Sequence, residues 1–471
     1  MTFISVEFPI LFVVTAVLVG ICKDRRKRQL ILLFASYIFY AYWDVRFLGL
    51  LVLQTFVSYS AALQITGTAD CRKRKRYCAV GVTVLLVILG VFKYFNFFLL
   101  SFRNVFGYEF ETWNIILPVG ISFYTFQAIS YMVDVYRGST SACRKFYKVA
   151  LYISFFPQLV AGPIVRADDF LPQLEWNHDI ELQNAEAALQ IFLFGLFKKV
   201  VIADRLAVCV DAVFAMPSEY DAASIVCAVA SYSIQIYCDF SGYSDMAIGV
   251  AKFFGYDLCR NFNIPYISKN PTEFWKRWHI SLSSWLQNYL YISLGGNRKG
   301  TYRQYGNLMI TMVLGGLWHG ADWTFVLWGF MHGAALVVHK LFLKYKEKYQ
   351  LSFKNVFIKK VVNIVSMCAT YSLVCTGWIF FRAESVGQAL VILRRIVICA
   401  DGIHYIYSFT IIYGFIVLLC HLYGMWKKNG QGVYPILKLN RFWSKIVVCV
   451  VLGLILVFSY QGGNAFVYFQ F

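Results

Sequence analysis

Two histidines in apolar surroundings are the residues of this chain best suited to chemistry. His319 sits in Gly315-Gly316-Leu317-Trp318-His319-Gly320-Ala321-Asp322-Trp323, inside an apolar run from 308 to 338. An ionisable side chain in such a run is costly to keep and marks a functional site by default. A neutral imidazole accepts the proton of a hydroxyl while that oxygen attacks a carbonyl, and burial favours the neutral form. The bland alternative is a histidine that hydrogen-bonds a neighbouring helix. His279 falls on the aromatic side of Trp275-Lys276-Arg277-Trp278-His279, away from the lysine and arginine. A satisfied interfacial histidine is the competing reading there. His332 and His339 follow, and His339 beside Lys340 reads as a boundary residue.

Asp239, Ser241 and Asp245 lie in the run 222–250. Carboxylates at such a depth need a partner or water. They either line a polar passage or pair with a buried cation such as Arg277, and the sequence leaves both open. No G-x-S-x-G, H-E-x-x-H, P-loop or dinucleotide fingerprint is present, so nothing favours a serine hydrolase, a metallohydrolase or a nucleotide enzyme. The 13 cysteines are odd in number and mostly sit within apolar runs. Neither a disulfide framework nor a metal site is expected.

What must hold these residues is lipid-solvated helix. The chain has 471 residues, of which 59% are hydrophobic and 15% charged. Its mean hydropathy is +0.58. That is too little charge for a water-facing surface. At about 20 apolar residues per crossing, roughly ten to twelve crossings are expected. They fall near 7–21, 30–43, 46–66, 78–100, 115–136, 187–214, 222–250, 308–338, 357–381, 408–425 and 446–460. The runs are long and continuous, unlike the short alternating segments of a β-barrel. The fold class is therefore all-α, a polytopic membrane protein forming one domain over 1–471.

The net charge of +19 is gathered in clusters beside the runs, Lys23 to Arg28 and Arg72 to Arg76 among them. This is the positive-inside pattern of loops facing anionic lipid, and it argues against nucleic acid as a partner. Charges that follow the first apolar run argue for an uncleaved span with the N-terminus outside. If the last basic group, Lys427 to Lys445, is inside, the tail 459–471 lies outside as well.

Three segments are not simple spans. Pro157, Gly162 and Pro163 break 154–172 into a re-entrant or interfacial turn. Asn270, Pro271 and Glu273 start a helix whose spacing of Trp275, Trp278, His279, Leu282 and Trp285 predicts one apolar face and an interfacial position. The third is 308–338, read as two half-spans joined by a break at His319. The tail, Phe466-Val467-Tyr468-Phe469-Gln470-Phe471, reads on composition as an interfacial aromatic anchor.

Four motifs occur in order: Asp239-Phe240-Ser241-Gly242-Tyr243-Ser244-Asp245, Trp275-Lys276-Arg277-Trp278-His279, Leu294-Gly295-Gly296-Asn297-Arg298 and Gly316-Leu317-Trp318-His319-Gly320. Together they resemble the membrane-bound O-acyltransferase family, in its bacterial branch of alginate and peptidoglycan O-acetylation proteins. The resemblance implies interfacial and broken helices around a central tunnel. It implies His319 as the essential residue and His279 as the second. Asp239, Ser241, Asp245, Arg277, Asn297, Trp318 and Asp322 would line the tunnel. It further implies cytoplasmic acetyl-coenzyme A as donor, with no bound cofactor. The acceptor would be an exported polysaccharide, completed by an extracytoplasmic acetyltransferase of the SGNH type at a bacterial inner membrane. The tail is similar to a Phe-x-Tyr-x-x-Phe ending carried on a partner in the related D-alanylation system. That makes Tyr468 an expected acyl carrier, flanked by Phe466 and Phe471. Gln287 and Asn288 depart from the arginine and aspartate common in relatives. D-alanyl transfer to teichoic acid, and a transporter or flippase, are the rival functions.

Overall fold

The computed structural model describes residues 1–107, 111–176, 180–350, 355–426, 436–438 and 441–459. Among these the chain is helical and no strand is formed. It divides into two compact units. Residues 1–194 and 243–259 make the first, and 195–242 and 260–471 the second.

The first unit contains α1 (Glu7–Ile21), α2 (Arg25–Ala41), α3 (Val45–Thr66), α4 (Cys71–Phe106), α5 (Ile121–Arg137) and α6 (Phe146–Ser154). Aspartates start three of these helices. Asp24, Asp44 and Asp70 accept from the backbone N–H groups of Lys27, Arg46 and Arg72 at 2.8, 2.9 and 2.8 Å. Such caps satisfy donors a helix start leaves open. The basic clusters follow two of these caps, with α2 and α3 between them. Residues 154–165 are buried after α6. The segment broken by Pro157 and Gly162 is thus wrapped in protein, the condition under which irregular backbone is tolerated at depth.

From the first unit into the second run α7 (Leu182–Phe197), a π-helical turn at Lys198–Ala203 leading to α8 (Asp204–Ala215), and α9 (Ala222–Phe253). The second unit continues with two short helices, α10 (Pro271–Trp275) and α11 (Ile280–Trp285). The long α12 (Thr301–His319), α13 (Trp323–Lys348) and α14 (Val356–Arg382) follow, then α15 (Val386–Val397), α16 (Ser408–Trp426) and α17 (Phe442–Phe458).

Among the described residues, six helices are long and apolar enough to cross a membrane: α3, α4, α9, α13, α14 and α16. Shorter apolar helices, α1 and α17, accompany them. The sequence reading counts more crossings: α2 opens with Arg25-Arg26-Lys27-Arg28, and α5 is a largely buried helix of 17 residues. Large apolar side chains stand exposed, Ile411 at 67% and Leu456 at 79%, a surface suited to hydrocarbon rather than water. The chain is a multi-pass membrane protein.

Candidate active site

The run 308–338 differs from its sequence reading. It is a hairpin of two full helices, not two half-spans. α12 ends at His319, Gly320 to Asp322 turn the chain, and α13 begins at Trp323. Asp322 caps α13, accepting from Thr324 N at 2.8 Å. Glycines explain the hairpin. A methyl group on Gly316 would run into the carbonyl oxygen of Phe325, and one on Gly329 into that of Met312. Only hydrogen at these positions lets the two backbones approach so closely. The catalytic candidate thus sits at the tip of a tightly joined helix pair.

His319 is 5% exposed. Its ring meets Trp318, Trp328 and Phe381 edge-on, with centroids at 4.9, 5.1 and 5.2 Å. His279 lies across from it at 6.3 Å, fully buried, with Phe240 at 4.6 Å and Trp318 at 6.0 Å. Two imidazoles therefore share one aromatic enclosure in the second unit. Burial pushes the His279 imidazole down to about 3, which leaves it neutral at ordinary pH.

His279 reaches this place through a broken helix, where one amphipathic helix was expected. α10 stops at Trp275 and α11 starts at Ile280. His279 itself takes φ +43°, in the left-handed region. A buried non-glycine residue there is strained, and such strain persists only when neighbours fix it. The fixing groups belong to 260–264. Asn263 N donates to the Arg277 carbonyl at 2.9 Å, and Ile280 N to that of Asn261 at 2.9 Å. The Asn261 side chain accepts from Ser281 Oγ at 2.6 Å. Beneath lies an aromatic core in which Trp278, 1% exposed, stacks on Phe274 and meets Trp378 at 4.9 Å. Asn261 carries no sequence signal by itself. Its importance comes from a pairing across 20 residues.

A second polar cluster surrounds Asp239. Its partner is Lys199, at 2.6 Å, and Lys199 also binds Asp204 at 2.7 Å. Lys198 donates to Ser241 Oγ at 2.9 Å. Arg277, offered by the sequence as partner to these carboxylates, instead binds Glu273 at 2.8 Å. The π turn brings two adjacent lysines toward α9. Gly242 lets them in, because a methyl there would stand 2.7 Å from the Gly195 carbonyl oxygen. Two lysines inside the apolar run 187–214 were the signal, by the same reasoning that singled out the carboxylates.

The remaining candidates scatter. Trp318 belongs to the enclosure, and Asp322 serves as a cap. Asp245 is buried in the first unit. Asn297 is exposed in the turn before α12, a turn tied down by Asn307 Nδ2 donating to the Gly296 carbonyl at 2.9 Å. Gln287 and Asn288 fall in a π-helical turn, Leu286–Tyr291. Tyr468, Phe466 and Phe471 lie outside the described residues. His332, buried on α13, extends the aromatic row with Trp328 at 4.9 Å and Trp275 at 5.2 Å.

A buried imidazole at the hairpin tip, enclosed by aromatics and facing a second imidazole, is the arrangement that a general base for an attacking hydroxyl would need. Comparisons with known proteins show the family. The model of the MBOAT, membrane-bound O-acyltransferase, family matches residues 144–380. The chain is 43% identical over 395 residues to the "Probable alginate O-acetylase AlgI" of Azotobacter vinelandii, covering 83% of this chain and 76% of that protein. It is 38% identical over 421 residues to the peptidoglycan O-acetyltransferase of Helicobacter pylori, covering 84% and 78%. The teichoic acid D-alanyltransferase of Bacillus subtilis is more distant, 26% identical over 284 residues, covering 58% and 70%. The matched span contains the broken helix, both imidazoles and the glycine-joined hairpin, and the chain belongs to the membrane-bound O-acyltransferase family.

Proposed function

We propose that this chain transfers acetyl groups from cytoplasmic acetyl-coenzyme A toward the O-acetylation of an exported polysaccharide at a bacterial inner membrane. The carrying observation is the pair of buried imidazoles, His319 and His279, within one aromatic enclosure. Acetyl is favoured over D-alanyl because the O-acetylating relatives are 38% and 43% identical and the D-alanyl relative 26%.

In the proposed step, His319 takes the proton from the Tyr468 hydroxyl as its oxygen attacks the thioester carbonyl. A C–O bond forms and the C–S bond breaks. The thiolate leaves and takes the proton back from the imidazolium. A tyrosine hydroxyl with a pKa near 10 is a weak nucleophile without such a base. His279 faces the same enclosure and orients the reacting carbonyl. The tyrosyl ester is then presented to an extracytoplasmic acetyltransferase of the SGNH type, which passes the acetyl group to a sugar hydroxyl. The other residues act at a distance. Trp318 walls the enclosure, Asp322 caps the helix after it, and Arg277 with Glu273 holds the strand of chain before His279.

The test is acetyl transfer from radiolabelled acetyl-coenzyme A by purified protein in nanodiscs. Wild type should label itself in the tail. His319→Ala should not, while eluting as the same folded species. Label retained in His319→Ala at the wild-type rate would refute the assignment.

A further inference from the structure

In the first unit, α3 and α4 line an open groove of about 620 Å³. Its two walls are helical stripes. Phe56, Ser60 and Gln64 repeat every four residues on α3, and Lys73, Arg76, Val80 and Val84 mark one side of α4. The groove is amphiphilic along its length. Lys73, Arg76 and Gln64 stand at the end where the α3–α4 turn and the basic cluster lie, and mainly apolar side chains, with Ser60 and Tyr77 among them, line the remainder. From Lys73 to Val84 is 11 residues, about 16 Å of helix rise. Half of a typical hydrocarbon core is about 15 Å.

The basic turn divides its labour. Arg74 points at the α5 carbonyl of Tyr136, donating at 3.2 Å. Lys73 and Arg76 face the groove and make no ion pair among the described residues. The floor is built of small residues. A methyl on Gly81 would stand 2.6 Å from Met132 Sδ and 3.1 Å from Ala61 Cβ, so α4 lies close against its neighbours here.

Two cations at the mouth of an apolar slot one leaflet deep match one ligand chemistry, a phosphate joined to an acyl chain. We infer that this groove binds an anionic phospholipid of the leaflet facing the basic clusters. The headgroup phosphate lies at Lys73 and Arg76, and an acyl chain runs along Val80 and Val84. The same positive potential that orients the chain in the membrane thereby becomes a defined lipid site.

The test is native mass spectrometry of the full-length protein in detergent, titrated with phosphatidylglycerol and then with phosphatidylcholine. The expected result is one retained phosphatidylglycerol, held at least about tenfold tighter than phosphatidylcholine. Lys73→Gln with Arg76→Gln should weaken phosphatidylglycerol by on the order of 30-fold, about fivefold for each cation lost. Val80→Trp should lower retention of both lipids with the cations intact. Lys346→Gln with Lys348→Gln, at the end of α13, should change neither. An unchanged preference in the Lys73/Arg76 variant overturns the inference. So does wild-type binding by Val80→Trp, which would leave only charge at the surface. Displacement of the lipid by inorganic phosphate alone overturns it too, since the site would then be an anion site.

Discussion

Replacing Gly316 by alanine tests whether the hairpin, rather than the histidine alone, makes the site. The added methyl would lie about 1 Å inside the roughly 3.5 Å contact distance to the Phe325 carbonyl oxygen. Backbone atoms on both sides leave no flexible side chain to yield, so the helices must separate by that amount. His319 follows three residues later, about 4.5 Å along the axis, and moves with α12. Overpacking of this size costs about 1–3 kcal/mol, and a misplacement near 1 Å costs on the order of 100-fold in rate. Gly306, on the same helix, has nothing within 4 Å of an added methyl. Gly306→Ala should therefore keep full activity and gain about 0.5–1 kcal/mol from helix propensity. The assay is acetyl transfer by purified protein in nanodiscs, read beside the apparent unfolding midpoint. Gly316→Ala within twofold of wild-type activity, at an unchanged midpoint, would refute the reasoning.

Other outcomes follow from the same geometry. Tyr468→Phe removes the proposed carrier, so transfer to an external acceptor should stop, measured as acetylated polysaccharide in cells; an unchanged yield would reduce the tail to an anchor. Lys199→Met leaves Asp239 and Asp204 buried with their shared cation gone, which should cost about 3–5 kcal/mol and appear as loss of the folded peak in size exclusion. His279 has its pKa lowered by burial to about 3, below an unfolded value near 6.5. Its contribution is fully present above pH 6.5 and is lost below it by up to about 1.4 kcal/mol per pH unit. Unfolding midpoints measured from pH 7.5 to 4.5 should fall less steeply in His279→Gln than in wild type.

Much of the fold is readable from composition because lipid imposes one solution on long apolar runs, backbone bonds closed within a helix. The aspartate caps and basic clusters declare their helix starts. His319 and His279 are legible as candidates because an ionisable side chain in apolar surroundings is costly to keep, and the structure brings their rings to 6.3 Å. What the sequence hides is pairing at a distance. Arg277 looked like a partner for Asp239, yet Glu273 stands one turn before it and claims it locally, while Lys199 arrives through a π turn. The even spacing of Trp275, Trp278, Leu282 and Trp285 argued for one helix. Tertiary hydrogen bonds from Asn261 and Asn263 break it and turn His279 through φ +43°. The run 308–338 exceeds one crossing, and on sequence alone its glycines suggest a break between two half-spans. They are the meshing surface of two helices.

That meshing bears on biogenesis. The tightest approaches in the hairpin join residues no more than 24 positions apart, such as Met309 with Gly333. Contacts this local form early, before pairings that must close long loops. The segment can leave the insertion machinery as a finished wedge that carries His319 at its point, and later helices then assemble around it. An isolated segment 301–348 reconstituted in micelles should already bring Gly316 and Gly329 into register, as a spin-label distance between flanking positions would record; labels that stay far apart would mean that the wedge is made by its surroundings.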